Sequence, residues 1–205
     1  MSDLLASLTP IERIGEGAVL LRGFCANDGE ALMRAVRAIE AEAPFRHMVT
    51  PGGRGMSVAM TNCGRTGWVT DLTGYRYEAC DPTSAKPWPT MPDIFFDLAR
   101  RAAAAGGYPN FEPDACLINR YEPGARMAPH QDKDERDFTA PIVSVSLGLP
   151  ATFLWGGLAR SDKTQRFTLH DCDVVVWGGP SRLVYHGVAP VKNGGRYNLT
   201  FRRAR

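Results

Sequence analysis

After residue 114 the hydrophobic pattern takes a period of two and keeps it to the C terminus, a pattern that a helical bundle cannot use. Segments around 115–121, 141–149, 151–155, 166–169, 173–177, 182–189 and 196–202 read as strands separated by Gly, Pro, Asn or Asp turns. Six or seven short strands in about ninety residues suggest a sandwich or jelly-roll barrel. Gly 21 and Pro 15 are spread as punctuation between short apolar runs, which favours the same class. Two helices stand outside this pattern. Asn27 or Asp28 can cap one that runs to about Ala43 and buries Leu32, Val36 and Ile39. Pro92, at a first helical position, opens another through Ile94, Phe95, Leu98 and Ala102 to a Gly106-Gly107 stop. The expectation is a mainly β chain with flanking helices (α+β), the helices serving as buttresses.

Residues 44–90 have a different character. They carry few aliphatics but hold Gly52, Gly53, Gly55, Gly64, Gly67 and Gly74 among Trp68, Tyr75, Tyr77, Arg46, Arg54, Arg65 and Arg76. This stretch reads as a glycine-hinged flap rather than a second domain. The chain is therefore taken as one domain over 1–205, with a flap at 44–90 and a β core at 114–205. Hydrophobic residues at 44% and charged residues at 22% exclude a disordered chain. The net charge of +2 is too small to argue for nucleic acid by itself, yet it permits a local basic groove. Five scattered cysteines (Cys25, Cys63, Cys80, Cys116, Cys172) without a CxxC pair argue against a disulfide scaffold or a Cys-rich zinc module. The N-terminal Met-Ser-Asp-Leu-Leu-Ala-Ser lacks a signal-peptide pattern, and no apolar run is long enough to span a membrane. A cytoplasmic protein is expected.

The first chemical constellation is His130-Gln131-Asp132, with His186 much later. At i and i+2 on an extended segment, His130 and Asp132 point the same way. A histidine from a neighbouring strand would complete three donors on one face of a metal and leave other positions open. That set suits non-haem Fe(II), although zinc and manganese accept similar donors. The plain alternative is a surface histidine beside a charge run, with an unrelated core histidine.

The second constellation is Arg196, Asn198, Thr200 and Arg202 alternating with Tyr197, Leu199 and Phe201. Such a strand has one polar and one apolar face. Its polar face could simply meet water. Two arginines flanking an asparagine could also grip a dicarboxylate, because guanidinium forks match carboxylates bidentately. Asn119 and Tyr121 form a similar pair on the strand leading towards His130.

In order along the chain, Met48-Val49-Thr50-Pro51-Gly52-Gly53, Asn119-Arg120-Tyr121, His130-Gln131-Asp132-Lys133-Asp134 and Arg196-Tyr197-Asn198-Leu199-Thr200-Phe201-Arg202 resemble the AlkB-type Fe(II)/2-oxoglutarate-dependent dioxygenases of bacterial DNA-alkylation repair. The resemblance covers nearly the whole chain. It implies a double-stranded β-helix (jelly-roll) core behind an N-terminal nucleotide-recognition flap. It implies Fe(II) held by His130, Asp132 and His186. It implies 2-oxoglutarate gripped at its far carboxylate by Arg196, Asn119 and Tyr121, and at the carboxylate beside the ketone by Arg202 and Asn198.

With O2 as the second cosubstrate, the implied reaction is oxidative demethylation of bases of the 1-methyladenine and 3-methylcytosine type. Succinate, CO2 and formaldehyde are released. The implied partner is single-stranded or flipped-out methylated DNA, with RNA a further candidate, because a methyl on the Watson–Crick edge is out of reach in a duplex. Trp68 would stack on the base opposite His130, although a core or edge tryptophan is as good a reading of the sequence. Asp134 would favour the cationic lesion, with Glu135 its weaker neighbour and most simply a solvated loop residue. Thr50, Tyr75, Arg126, Gln131 and Lys133 would meet phosphates. By the same resemblance the protein is a monomer.

One feature departs from the family. His186 and Arg196 are close in sequence, and Lys192-Asn193-Gly194-Gly195 reads as a two-residue hairpin. That register puts Val191 opposite Arg196 and His186 opposite Phe201, so His186 would share the apolar face and leave the arginines. A glycine bulge, strands that do not pair, or a segment missing from the chain would each resolve the conflict; the missing segment is the expectation. Two rivals to base repair stand at this point. One is a 2-oxoglutarate hydroxylase of a small molecule, peptide or lipid. The other is a non-enzymatic jelly-roll binding module.

Overall fold

The structure is a computed structural model and describes residues 11–205; the N-terminal heptapeptide lies outside them. In chain order the elements are β1 (Ile11–Gly15), β2 (Ala18–Leu21), α1 (Gly29–Glu42), β3 (Ala59–Gly64), β4 (Gly67–Asp71), β5 (Gly74–Glu78), α2 (Asp93–Ala105), β6 (Ala115–Tyr121), β7 (Met127–His130), β8 (Ile142–Gly148), β9 (Ala151–Trp155), β10 (Gln165–Leu169), β11 (Val174–Trp177), β12 (His186–Val188) and β13 (Arg196–Arg202). A seven-stranded sheet has the order β1-β2-β11-β8-β13-β6-β3, and a four-stranded sheet the order β10-β9-β12-β7. Strands β4 and β5 form a separate antiparallel hairpin.

The alternation along β13 decides the layering. β13 lies between β8 and β6, with Leu199 opposite both Val145 and Ile118. On that outer face Leu199 and Phe201 pack with Phe95 and Leu98 of α2 and with Leu32, Val36 and Ile39 of α1. Phe95 meets Phe201 edge-on at 5.8 Å between centroids. Emptying such a site, as in Phe201→Ala, costs about 3–5 kcal/mol. The opposite face carries Arg196, Asn198, Thr200 and Arg202, all of them buried, so the polar face does not meet solvent. It looks instead into the space between the sheets. Nearby, Trp177 of the large sheet packs on Phe153 and Trp155 of the small one.

Both helices form where the apolar spacing places them. Asp28 is the N-cap of α1 but makes no side-chain cap; its carboxylate instead accepts a bond from Arg101 of α2 at 2.6 Å, tying the helices together. Pro92 is the N-cap of α2 rather than its first helical residue, because its ψ of 143° is still extended. Ile94 is only half-buried, and Ala99 and Ala103 complete the stripe.

Three sequence expectations need correction. The strand expected over 182–189 shrinks to β12, because Arg182 and Val184 bond back to Gly179 and Ser181 and turn the chain before it. Strands β1 and β2, which the period-two reading did not reach, extend the large sheet through β11. The hairpin at Asn193-Gly194 does not form. β12 pairs with β7 and β9 in the small sheet, whereas β13 pairs with β6 and β8 in the large one. The ten-position step from His186 to Arg196 is a crossing between sheets, held by bonds from Ala189 to Thr152 and between Val191 and Ala125. No missing segment is needed to bring the two polar sets together.

The stretch 44–90 is more closely knit to the core than a free flap would be. Its β3 is the last strand of the large sheet, in register with β6, and the β4–β5 hairpin follows from it. The Asn62 side chain clamps both backbone groups of Trp68 at 3.0 Å.

Candidate metal and oxoanion site

A cavity of about 560 Å³ opens between the two sheets and under the β4–β5 hairpin. His130 ends β7 and His186 begins β12, and the antiparallel register puts them directly opposite each other. Their rings lie 4.6 Å apart between centroids. Gly187 permits this pairing, because a Cβ there would come within 2.5 Å of the Met127 carbonyl. Asp132 faces both rings, with Oδ1 3.4 Å from His130 Nε2 and Oδ2 3.7 Å from His186 Nε2. One donor atom from each of the three residues lies within 4.8 Å of the others.

The ring orientations are set by the backbone. His130 Nδ1 is 2.9 Å from the Ala128 carbonyl, and His186 Nδ1 is 3.1 Å from that of Val184. A carbonyl only accepts, so both Nδ1 atoms carry a proton and each ring turns its Nε2 towards Asp132. Such an outer contact is the usual way of aiming a metal-binding histidine.

Charge at the site is unevenly held. Burial works against an ionised Asp132, but Arg202 and the two histidines outweigh it and hold its carboxyl well below the ordinary range. Burial, with His130 nearby, pushes His186 down to about 4. For His130, burial is overcome by the bond to Asp132, and its pKa is raised. Two imidazoles with Nε2 turned inward and an ionised carboxylate on one side of a polar cavity are, once the rings are deprotonated at Nε2, a donor set for a divalent first-row metal.

Arg196 is the second notable group. It is 1% exposed, and burial lowers its pKa. It donates to Ser146 Oγ at 3.0 Å and to the Leu149 carbonyl at 3.3 Å, while its Nε has no partner. Among the described residues no carboxylate lies within salt-bridge distance of it. A buried guanidinium without a counter-charge is costly, and an incoming carboxylate removes that cost. Tyr121, whose ring lies 5.8 Å from the guanidinium, and Asn119, whose Oδ1 is unpartnered, line the same end of the cavity. Arg202, at the metal end, donates through Nη2 to Asp132 at 2.8 Å. Asn198 has both amide protons engaged, by Ser144 at 2.8 Å and the Val145 carbonyl at 3.0 Å. It lines the cavity without a free donor.

At the mouth, Trp68 stacks on Tyr75 at 5.8 Å and 20°, and its Nε1 donates to Asp134 at 2.8 Å. Trp68 is half-buried and packs against the cluster holding Met60 and Val69, so one face is structural and the other borders the cavity. Arg126 and Lys133 are exposed on the rim. Gln131 also lines the cavity, but its amide is taken by the Leu183 carbonyl at 2.6 Å. Thr50 lies outside the cavity lining and uses its hydroxyl to accept from the Arg54 backbone at 3.2 Å.

The expected solvation of Glu135 is wrong. It is 5% exposed and sits between Arg182 at 3.0 Å, Arg202 at 3.2 Å and the Tyr77 hydroxyl at 2.6 Å. Its neighbours in sequence are charged, and no local pattern distinguishes it; its partners come from three distant segments. The sequence reading also missed Arg160, which borders the cavity with its guanidinium 5.2 Å from the Tyr185 ring centroid.

Comparison with known proteins gives a consistent result. The family model of the 2OG-Fe(II) oxygenase superfamily matches residues 17–202. The chain is 57% identical over 212 residues to the alpha-ketoglutarate-dependent dioxygenase AlkB of Escherichia coli K12, covering 100% of this chain and 98% of that one. It is 34% identical over 125 residues to the human nucleic acid dioxygenase ALKBH1, covering 60% of this chain and 32% of that protein. Among solved structures, that of OsALKBH1 superposes with a TM-score of 0.83 at 28% identity, over 95% of this chain and 100% of that one.

Proposed function

This chain belongs to the 2OG-Fe(II) oxygenase superfamily, and from that premise we propose that it oxidatively demethylates alkylated bases in single-stranded or flipped-out nucleic acid. It is an Fe(II)- and 2-oxoglutarate-dependent dioxygenase. His130, Asp132 and His186 would hold the iron. Arg196, Asn119 and Tyr121 would receive the far carboxylate of 2-oxoglutarate, and Arg202 with Asn198 would border the near one. With O2, the bound iron and oxoglutarate supply the oxidising power that hydroxylates the base methyl and leaves succinate, CO2 and formaldehyde.

The observation that carries the reading is the pairing of two sets in one cavity: three convergent donors at one end and the uncompensated Arg196 at the other. The protein's own share of the work is positional. The backbone carbonyls of Ala128 and Val184 hold the Nδ1 side of each imidazole and keep its Nε2 aimed at Asp132. Arg202 keeps Asp132 ionised. Phe153 and Trp177 wall the cavity beside His186 and limit water there.

In the same reading, residues 44–90 are the nucleotide-recognition flap on a core of residues 114–205. Trp68 and Tyr75 offer a stacking face, and Asp134 an acidic group for cationic bases such as 1-methyladenine and 3-methylcytosine. Arg126 and Lys133 serve phosphates; Thr50 can add the hydroxyl proton that its bond from the Arg54 backbone leaves free, and Gln131 serves only by giving up its bond to the Leu183 carbonyl. The protein acts as a monomer in the cytoplasm; the five cysteines, none of them bridged, support a reducing compartment. None of the described helices is long and apolar enough to cross a membrane.

The test is turnover of single-stranded oligonucleotides carrying 1-methyladenine or 3-methylcytosine, with formaldehyde and succinate measured together. Equal release of both products, dependent on Fe(II) and 2-oxoglutarate, is the expected result. Turnover of free methylated nucleosides in preference to oligonucleotides would point to the small-molecule hydroxylase instead.

A further inference from the structure

The flap hairpin and the metal end of the cavity share one buried polar network. Tyr77 of β5 donates its hydroxyl to Glu135 Oε1 at 2.6 Å. The same Oε1 lies 3.2 Å from Arg202 Nε, and that Nε is also 3.2 Å from Asp132 Oδ2. Glu135 Oε2 accepts from Arg182, which in turn donates to the backbone carbonyls of Asp132 and Ala140. Glu135 and Arg202 are thus fixed to one another in the interior, and the hairpin touches them through one hydroxyl.

The arrangement has a direction. Asp132 and Glu135 compete for the Nε of Arg202. While Tyr77 is in place, Glu135 Oε1 has a second donor and draws less on the guanidinium. When the hairpin lifts, that oxygen is left with Arg202 alone, and a buried carboxylate oxygen short of a donor is expensive. Arg202 is then pulled towards Glu135 and away from the cavity that it borders.

We propose that Glu135 is a positioning residue through which docking of the β4–β5 hairpin by Tyr77 makes Arg202 available to the cosubstrate carboxylate, so that nucleic-acid binding and 2-oxoglutarate binding reinforce each other. The inference rests on the reading of Arg202 as bordering the 2-oxoglutarate subsite and of the hairpin as part of the nucleic-acid flap. Its signature is reciprocal: the factor by which a methylated oligonucleotide tightens 2-oxoglutarate equals the factor by which 2-oxoglutarate tightens the oligonucleotide.

The experiment measures both factors anaerobically, without turnover. The Fe(II) protein is titrated with 2-oxoglutarate, followed by the visible absorption of the chelate, in the absence and presence of a saturating single-stranded oligonucleotide carrying 3-methylcytosine. Oligonucleotide affinity is followed by anisotropy with and without 2-oxoglutarate. The wild type is expected to show equal factors of about fivefold or more, the lower end of ordinary coupling. Tyr77→Phe keeps the ring and loses the hydroxyl, and should bring both factors close to one.

Glu135→Gln can still accept from Tyr77 but draws far less on Arg202; it should tighten 2-oxoglutarate in the absence of oligonucleotide and so bring both factors towards one, and unchanged factors in a folded Glu135→Gln protein would remove Glu135 from the coupling. Its fold is checked by circular dichroism, and Tyr77→Phe decides the matter should it fail to fold. A Tyr77→Phe protein with the wild-type factors would overturn the coupling while leaving the function standing. A wild type that binds no 2-oxoglutarate would overturn the functional reading, and the coupling with it. A general loss of stability would lower a melting temperature without removing the ratio between the two titrations.

Discussion

Arg202 approaches Asp132 to 2.8 Å, so the last strand of the fold neutralises the carboxylate that faces both histidines. Asp132 can therefore stay ionised in the interior before any cation arrives, and Arg202 is not left as an isolated buried charge. The cavity has a pre-paired end and, at Arg196, an end still lacking its counter-charge.

Replacing His186 with alanine should leave a folded protein that no longer forms the iron–oxoglutarate chromophore. Even outer groups around a metal cost 10–100-fold when removed, so loss of a direct donor should lower turnover by at least about 100-fold. The same holds for His130→Ala and Asp132→Ala, although the latter also unpairs Arg202 and should melt earlier. Circular dichroism with the anaerobic spectrum distinguishes the two effects. A folded His186→Ala protein with near-normal 2-oxoglutarate turnover would remove it from the ligand set.

Arg196→Ala should act on the cosubstrate alone. Truncating one partner of a buried charge pair costs about 2–5 kcal/mol, so the 2-oxoglutarate requirement should rise by roughly 30-fold or more. Oligonucleotide affinity measured without cosubstrate should stay within about twofold of wild type. An unchanged KM for 2-oxoglutarate would mean that the unpartnered Nε serves another anion.

Trp68→Ala removes the ring that stacks on Tyr75 and borders the cavity mouth. Loss of a base-stacking aromatic costs about 1–3 kcal/mol, so oligonucleotide binding and repair should fall by roughly ten- to a hundredfold. The 2-oxoglutarate titration should not move. Trp68→Phe, which keeps a ring but loses the bond to Asp134, should recover most of the binding. Full repair by a folded Trp68→Ala protein would take the base away from this hairpin.

Asp81 gives a prediction about acid stability away from the cavity. Burial alone would raise its carboxyl, but bonds from Arg46 at 2.7 Å, Thr83 at 3.0 Å and Ser84 at 3.0 Å outweigh it and hold the group below its ordinary value. A depressed native pKa means that the unfolded chain binds the proton more readily, so this stabilisation is complete above the unfolded value of about 3.9 and is lost as pH falls through the native value. Asp81→Asn should cost about 1–3 kcal/mol at pH 7, and the gap to wild type should close in that acid window. Urea unfolding at pH 7 and below pH 4 measures it; a gap independent of pH would mean that the ion pair does not contribute.

The alternation of β13 was legible because a sheet writes its two faces into odd and even positions, and Phe201 and Arg202 fall on opposite sides as that rule requires. That His130 and Asp132 share a side was legible by the same rule, and the convergence of His186 with them came from the family resemblance, since the hairpin register had put it on the other face. What the alternation cannot state is which sheet a strand joins. Asn193-Gly194 has the local chemistry of a hairpin turn, but the neighbours of β12 and β13 are chosen by long-range pairing, and the two strands part. Glu135 was misread for a related reason. A carboxylate in a charged loop is solvated by default, and only the convergence of Tyr77, Arg182 and Arg202 from remote segments makes it an interior group. The short β1 and β2 lie upstream of residue 114, where the period-two pattern begins, and four or five residues are too few to establish an alternation of their own.

The face-to-face pairing of His130 and His186 on neighbouring strands has a cost for selectivity. The sheet fixes the spacing of the two imidazoles whether or not iron is present, so the protein contributes a ready-made bite that other divalent ions can use equally well. Intrinsic affinity of such nitrogen and oxygen sites rises from iron through cobalt and nickel to copper. A scaffold that assembles its donors in advance cannot reject those ions by refusing to fold around them. By that order, nickel, cobalt or copper held by these three donors would bind at least as tightly as iron.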